Sequence, residues 1–241
     1  MVKIVVHITK VIIAVVASLL LSSCGFEQVK GNGNTVTKSR TVNASFNAIS
    51  AERGLEVIIE QQNITSITVE ADENLHEHIK TEVNDGELKI TSDVNISDAA
   101  VKRITVSLPN IESIQSSSAA QVRSRNTLKG ENIELSSSSG SALEVSVEAG
   151  SVTCDSSSGS RLTVKGKTGK LETNSSSGST IDAKALTANS VIADASSGSS
   201  TYTNPVQNLS AEASSGANVQ YINAPANLSK NTSSGGSVSQ E

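Results

Sequence analysis

The C-terminal half of the chain repeats one pattern of polar and apolar positions. Glycines stand at 140, 159, 178, 198, 216 and 235, at spacings of 19, 19, 20, 18 and 19 residues. Each follows two serines, as in Ser138-Ser139 and Ser176-Ser177. Seven residues before each glycine stands an aliphatic residue: Ile133, Val152, Leu171, Val191, Leu209 or Leu228. Three residues after it stand Leu143, Leu162, Ile181, Thr201, Val219 and Val238. Around the glycines the apolar positions alternate at spacing two, as in Leu143 and Val145 or Leu162 and Val164, which is strand periodicity. A period near 19 is too short for two helices and a turn, and the segment is rich in Gly, Ser, Thr and Asn rather than helix formers. Short strands at a fixed period, bent at a glycine corner, predict the stacked coils of a β-solenoid.

Glycine at the corner tolerates left-handed backbone angles, and neighbouring serines can satisfy amides that the bend removes from the ladder. At this period residues 40–241 predict roughly ten coils and a rod on the order of 50 Å. Residues 40–129 also read as strands, such as Leu55–Ile59, Ile67–Val69, Leu88–Ile90 and Ile104–Leu108, with Asn84-Asp85-Gly86 as a tight turn. Their repeat is less regular, as suits the end of a solenoid. Ser116-Ser117-Ser118-Ala119-Ala120 lacks the glycine expected of a corner.

Gly31-Asn32-Gly33-Asn34, Arg40, Phe46, Ile49, Glu70-Ala71-Asp72-Glu73-Asn74-Leu75, Thr81-Glu82-Val83 and Leu88-Lys89-Ile90 carry a family likeness. Over about residues 40–236 the chain resembles the bacterial "putative auto-transporter adhesin, head GIN domain" family. The resemblance implies an all-β fold, a right-handed single-stranded parallel β-helix, in secreted or lipid-anchored envelope proteins. It carries no catalytic motif over to this chain.

The N-terminus reads as an address. Val11 to Leu21 is an eleven-residue apolar run after Lys3 and Lys10, the length of a secretory h-region and short of a bilayer span. Leu21-Ser22-Ser23-Cys24 resembles a bacterial lipobox, which implies cleavage before Cys24 and its acylation, with several acyl chains tying the protein to a membrane. Gly25, where inner-membrane lipoproteins carry Asp, leans towards the outer membrane. The expected organisation is a signal peptide at 1–23, a flexible tether at 24–39 and a β-helix at 40–241, irregular to 129 and regular from 130. Lipidation of Cys24 leaves Cys154 without an intramolecular partner, and its repeat position predicts a small buried hydrophobe.

Charge and composition narrow the function. Aromatics are 2% of the chain with no Trp, and the net charge is −5, so neither base stacking nor a phosphate-binding footprint is expected, and no nucleic acid is assigned as a partner. Cleavage before Cys24 removes two lysines and no acids, taking the net charge to −7. The only histidines are His7, His76 and His78, so the serine columns have no base for nucleophilic catalysis. His76 and His78, near Glu73 and Glu77, lack an evident third ligand, and no metal or cofactor is assigned. Gly166-Lys167-Thr168-Gly169-Lys170 lacks phosphate-loop spacing and reads as a repeat turn.

Four residues before each corner glycine stand Ser136, Asp155, Asn174, Asp194, Glu212 and Asn231. Stacked on one face, they form a polar ladder, chosen for turn propensity or for binding, with calcium as one candidate ligand. Asp194 and Glu212 would lie about 5 Å apart on adjacent coils, close to the separation of a retaining glycosidase pair. Tyr202 and Tyr221, on neighbouring coils, either contact a ligand or fill the lumen. An uncovered β-edge at residues 225–241 would favour self-association. The expected function is a non-catalytic, adhesin-like binding module of the cell envelope, contacting polysaccharide or an envelope protein. The alternatives are a polysaccharide lyase or glycoside hydrolase using Asp155, Asp194 and Glu212, and a purely structural envelope protein.

Overall fold

The computed structural model describes residues 28–42 and 44–241. The signal peptide expected at 1–23 and the expected lipidation site Cys24 lie outside the described residues. The chain stacks parallel coils into a β-solenoid of about seven turns roughly 19 residues apart. The first strands are β1 (Gln28–Lys30), β2 (Thr35–Arg40), β3 (Ala48–Ala51), β4 (Glu56–Gln61), β5 (Ser66–Asp72) and β6 (Ile79–Asn84). They are followed by β7 (Glu87–Ser92), β8 (Asn95–Asp98), β9 (Lys102–Leu108) and β10 (Ser113–Ser116). The long strands of the regular region are β11 (Gln121–Ser137), β12 (Ala142–Ser156), β13 (Arg161–Ser175), β14 (Thr180–Ala195) and β15 (Ser200–Ala213). The last are β16 (Asn218–Tyr221), β17 (Asn227–Thr232) and β18 (Ser237–Gln240).

From β10 onward every pairing is parallel, and the registers place the sequence columns one above another. Leu143 pairs with Leu162, Leu162 with Ile181, Ile181 with Thr201 and Thr201 with Val219. Ile133, Val152, Leu171, Val191 and Leu209 form the second inward column. All ten are buried, because alternate side chains of a strand face the lumen. Cys154 is wholly buried between these columns, where burial, reinforced by Asp155, pushes its thiol well above the ordinary range. Leu228, in the coil after Leu209, is 44% exposed.

Each corner is a two-residue left-handed turn. Ser177 and Gly178 have φ of 53° and 69°, and Ser179 N–H donates to Ser176 O at 3.2 Å. Both central residues at positive φ make the turn type I′, which reverses the chain within two residues. The ladder does not break there: Gly178 N–H donates to Ser197 O of the next coil at 3.1 Å, and Gly159 N–H to Ser177 O at 3.0 Å. The serine before the glycine therefore carries the left-handed strain as well. Ser116–Ala120 is the same corner, with Ser118 at 51° and Ala119 at 63°. Ala119→Gly relieves that strain and is expected to raise stability by about 0.5–1 kcal/mol, after the backbone entropy of glycine is set against it. A thermal melt checks this, and an unchanged or lower midpoint contradicts it.

The N-terminal region departs from a sequential solenoid. β3 lies between β7 and β10, and β4 between β9 and β11, so residues 48–61 form a coil inserted between 87–108 and 113–124. β2, β5 and β9 pair antiparallel, as do β6 and β7 around the Asn84-Asp85-Gly86 turn. These antiparallel strands account for the shortfall against ten coils. Stacking seven coils at about 4.8 Å gives a body of roughly 34 Å along the axis rather than 50 Å. The tether expected at 24–39 is corrected over its described residues, 28–39. Residues 28–30 pair with β8, and residues 35–40 extend along β5 in register from Thr35↔Asp72 to Arg40↔Ile67. Among the described residues no helix is long and apolar enough to cross a membrane.

Candidate functional site: a polar groove beside the serine corner

Ser136, Asp155, Asn174, Asp194, Glu212 and Asn231 are successive register partners, one per coil, on the outward face of the strands that lead into the corner. The corner rises beside them, and between the two runs a groove of about 410 Å³. All six residues line it. So do Ser157, Ser176, Ser196, Ser214 and Ser233, the first serines of the corner triplets. Each of these serines stands two residues after its ladder residue, so both project to the same side of the strand. That spacing was a readable signal, although the sequence alone suggested a corner role for the serines.

The floor is a second polar layer. Ser156 and Ser175 are buried beneath the groove. Ser156 Oγ lies 2.9 Å from Ser160 Oγ, and Ser175 Oγ lies 2.9 Å from Ser199 Oγ and 2.7 Å from Thr201 Oγ1. Ser160, Ser179 and Ser199 donate to the carbonyls of Ser137, Ser156 and Ser175 in the preceding coil at 2.7, 2.7 and 3.0 Å. Satisfied hydroxyls of this kind hold adjacent coils in one register and keep the groove walls at fixed spacing.

The ladder itself is exposed. Asn174 Nδ2 donates to Asp155 Oδ1 at 3.0 Å, which ties two rungs together. Asp194 stands directly over Glu212 in the register. Its carboxyl is held above the ordinary carboxylate range, first by desolvation and then by the charges of Glu212 and Glu172. A carboxyl that keeps its proton to higher pH beside another carboxylate is a feature of retaining glycosidase sites. The groove lining contains no basic, histidine or aromatic side chain to bind a sugar ring or stabilise charge. Its chemistry is that of hydrogen-bond acceptors and hydroxyls repeated along a straight line.

The two tyrosines do not converge on this groove. Tyr202 is half-buried on the outer face, with Lys184 Nζ 4.6 Å from its ring centroid. Tyr221 is buried, with Lys230 Nζ 4.8 Å from its centroid. Tyr202 pairs with Gln220 and Tyr221 with Thr203, so the rings point to opposite sides of the sheet. His76 is buried with Nε2 3.1 Å from Val36 O, whereas His78 Nδ1 lies 2.9 Å from Asp93 Oδ1. Among the described residues no three His, Cys, Asp or Glu side chains gather as a metal site.

A parallel solenoid with a polar groove along its side defines the molecule as a repeat protein whose candidate site is an open, linear face. The chain belongs to the family described as "Putative auto-transporter adhesin, head GIN domain", whose profile matches residues 45–225. Solved structures share the fold. A "putative adhesin" from Bacteroides fragilis superposes with a TM-score of 0.82 at 18% identity, covering 88% of this chain and 100% of that one. A "putative adhesin" from Parabacteroides merdae gives 0.73 at 22% identity, covering 89% and 99%. A "putative lipid binding protein" from Parabacteroides distasonis gives 0.74 at 17% identity, covering 89% and 100%. No curated protein sequence matches the chain.

Proposed function

We propose that the protein is a lipid-anchored cell-envelope module that binds an extended polymer along the polar groove without cleaving it. The observation that carries this reading is the in-register ladder of Asp155, Asn174, Asp194, Glu212 and Asn231, one acceptor per coil, open to solvent along the groove. Four coil steps span roughly 19 Å, enough for several residues of a polysaccharide or of an extended protein segment. Contacts repeated at that spacing gain affinity by effective concentration rather than by one deep pocket. The adhesin names in the family and among the structural neighbours support a surface role. The lipid-binding name of one neighbour fits this groove less well, since its lining is mostly serine, carboxylate and amide.

Acylation at Cys24 would hold the module at a membrane, the outer membrane by the Gly25 reading, and present the rod to the envelope. Self-association through residues 225–241 is a weaker arrangement. It would press Lys230, which takes the inward register position after Ala211 and stands over Tyr221, against a second copy. Inward-pointing charges of this kind discourage edge pairing.

The test is binding of the detergent-solubilised full chain to a panel of envelope polysaccharides and envelope proteins. The variant Asp155→Asn/Asp194→Asn/Glu212→Gln should weaken the best binder by about tenfold or more through loss of several repeated contacts. Its melting midpoint at pH 7 should stay level or rise. The raised Asp194 carboxyl means that its charged form is disfavoured in the fold, so stability is gained as pH falls through that value, and neutralisation by substitution acts in the same direction. Unchanged binding in the variant would remove the groove from the account.

A further inference from the structure

Two N-terminal motifs, Gly31–Asn34 and Glu70–Leu75, meet in space. The Gly31–Asn34 turn between β1 and β2 folds over the end of β5, where Asp72 is buried. Gly33 N–H donates to Asp72 Oδ2 at 2.9 Å. From the other side, Ala100 N–H reaches Oδ2 and Val101 N–H reaches Oδ1, both at 3.3 Å. One carboxylate thus joins the turn to the segment between β8 and β9. Gly31 leaves no room for a side chain, since a Cβ there would lie 2.0 Å from Asp72 Oδ2. Around this pin, Asn32 N–H donates to Asn74 Oδ1, Asn34 Nδ2 to Glu73 Oε2, and Asn74 Nδ2 to Lys30 O, at 3.0, 2.9 and 2.9 Å.

Apolar burial contributes little to this attachment. Only Val29 of residues 28–34 packs against the core, and β1 pairs with β8 alone, in a two-stranded sheet separate from the solenoid. Segments held by few apolar contacts open at lower free energy than the body they rest on. We propose that residues 28–34 are a latch, held closed by the buried Asp72 carboxylate, that opens as one unit when that charge is removed and leaves the solenoid folded. If Cys24 is the anchor, as the proposed function has it, opening adds seven residues, about 23 Å of extended chain, to the connection between membrane and rod.

The direction with pH follows from the same contacts. Burial raises the Asp72 carboxyl, but the three backbone donors outweigh it and hold it below the ordinary carboxylate range. A lowered folded value means the latch is fully held above the unfolded carboxylate value and is lost as pH falls through the folded one. Several charged groups on the packed elements are engaged elsewhere. Lys30 pairs with Asp98 at 2.9 Å, Glu70 with Arg103 at 3.2 Å, and Glu73 accepts from Asn34. Lys102 of β9 lies with its Nζ near Gly54.

Hydrogen exchange of the full chain tests the proposal, read by peptide mass and corrected for intrinsic rates. In Asp72→Asn at pH 7, peptides covering 28–34 and 99–101 should exchange at least tenfold faster, while peptides over 140–216 keep wild-type protection. Gly31→Ala, which displaces the turn but keeps the carboxylate, should free the same peptides. Wild type should hold the latch equally at pH 7 and pH 5 and lose it only once the pH falls below the ordinary carboxylate range. A latch that stays protected in both variants overturns the proposal. So does loss of protection in the solenoid together with the latch, which would make this junction part of one cooperative fold.

Discussion

Gly166→Ala is expected to lower the melting midpoint by about 10 °C. Gly166 has a φ of +116°, outside what an L side chain adopts, and a Cβ there would lie 2.0 Å from Val147 O of the coil below. Strain of that kind costs about 1–3 kcal/mol, and forced overpacking adds about 1–3 kcal/mol. For a domain of this size each kcal/mol moves the midpoint by about 2–4 °C. The position lies where β13 passes from one face of the solenoid to the next, and its pairing with Val147 and Leu186 is framed by a register irregularity on the β14 side. A melt of the purified variant by circular dichroism checks the figure. A midpoint within 2 °C of wild type would mean that the coil relaxes around the methyl group and that the close approach is not structural.

Gly178→Val should cost about 2 kcal/mol for a different reason. No atom lies within 4 Å of a Cβ built at Gly178, so nothing is overpacked and the cost is the left-handed φ of 69° alone. A β-branched side chain pays the most in that region. Ser177→Ala, one residue earlier and also left-handed, exchanges one L side chain for another and should change stability by less than about 0.5 kcal/mol. The pair separates conformational strain from packing. Equal midpoints for Gly178→Val and Ser177→Ala would count against the turn geometry at the corner.

The regular coils were legible because a solenoid repeats its constraints. A corner needs the same two left-handed residues every turn, and a narrow lumen needs the same small aliphatic side chains, so both appear as columns. The two aliphatic columns are buried as their spacing predicts as far as Val219 and Leu209, whereas their last members, Val238 and Leu228, are half-buried and 44% exposed at the open end. The ladder from Ser136 to Asn231 stacks as its spacing predicts. The N-terminal cap was less legible. Period-two alternation identifies Ile67–Val69 or Leu88–Ile90 as strand without saying which neighbour each pairs with, or in which direction. Placing residues 48–61 between 87–108 and 113–124 depends on long-range contacts that no local pattern encodes. Residues 24–39 were expected as a tether, and those of them that are described, 28–39, are ordered. Backbone donors to one buried carboxylate order the turn within them, a contact set that hydropathy does not register.

The serine layer under the groove shows the same limit. Ser156 and Ser175 alternate with exposed neighbours as core residues do, yet their polarity disguises their burial. The structure accommodates them because each hydroxyl finds a partner on the next turn or across the corner. An aliphatic lumen on one side and a hydroxyl-lined wall on the other explain how a chain with 2% aromatics builds a straight body.

The most direct test of the central claim, binding along the groove without cleavage, is a product assay run on the polymer that binds best. The full chain is incubated with it at pH 5 and pH 7, with and without calcium, and released reducing ends and unsaturated ends are counted over a day. The account predicts retained polymer and no product above the level of the Asp155→Asn/Asp194→Asn/Glu212→Gln variant. Product that accumulates with wild type and disappears in Asp194→Asn would contradict it and make the Asp194–Glu212 pair catalytic.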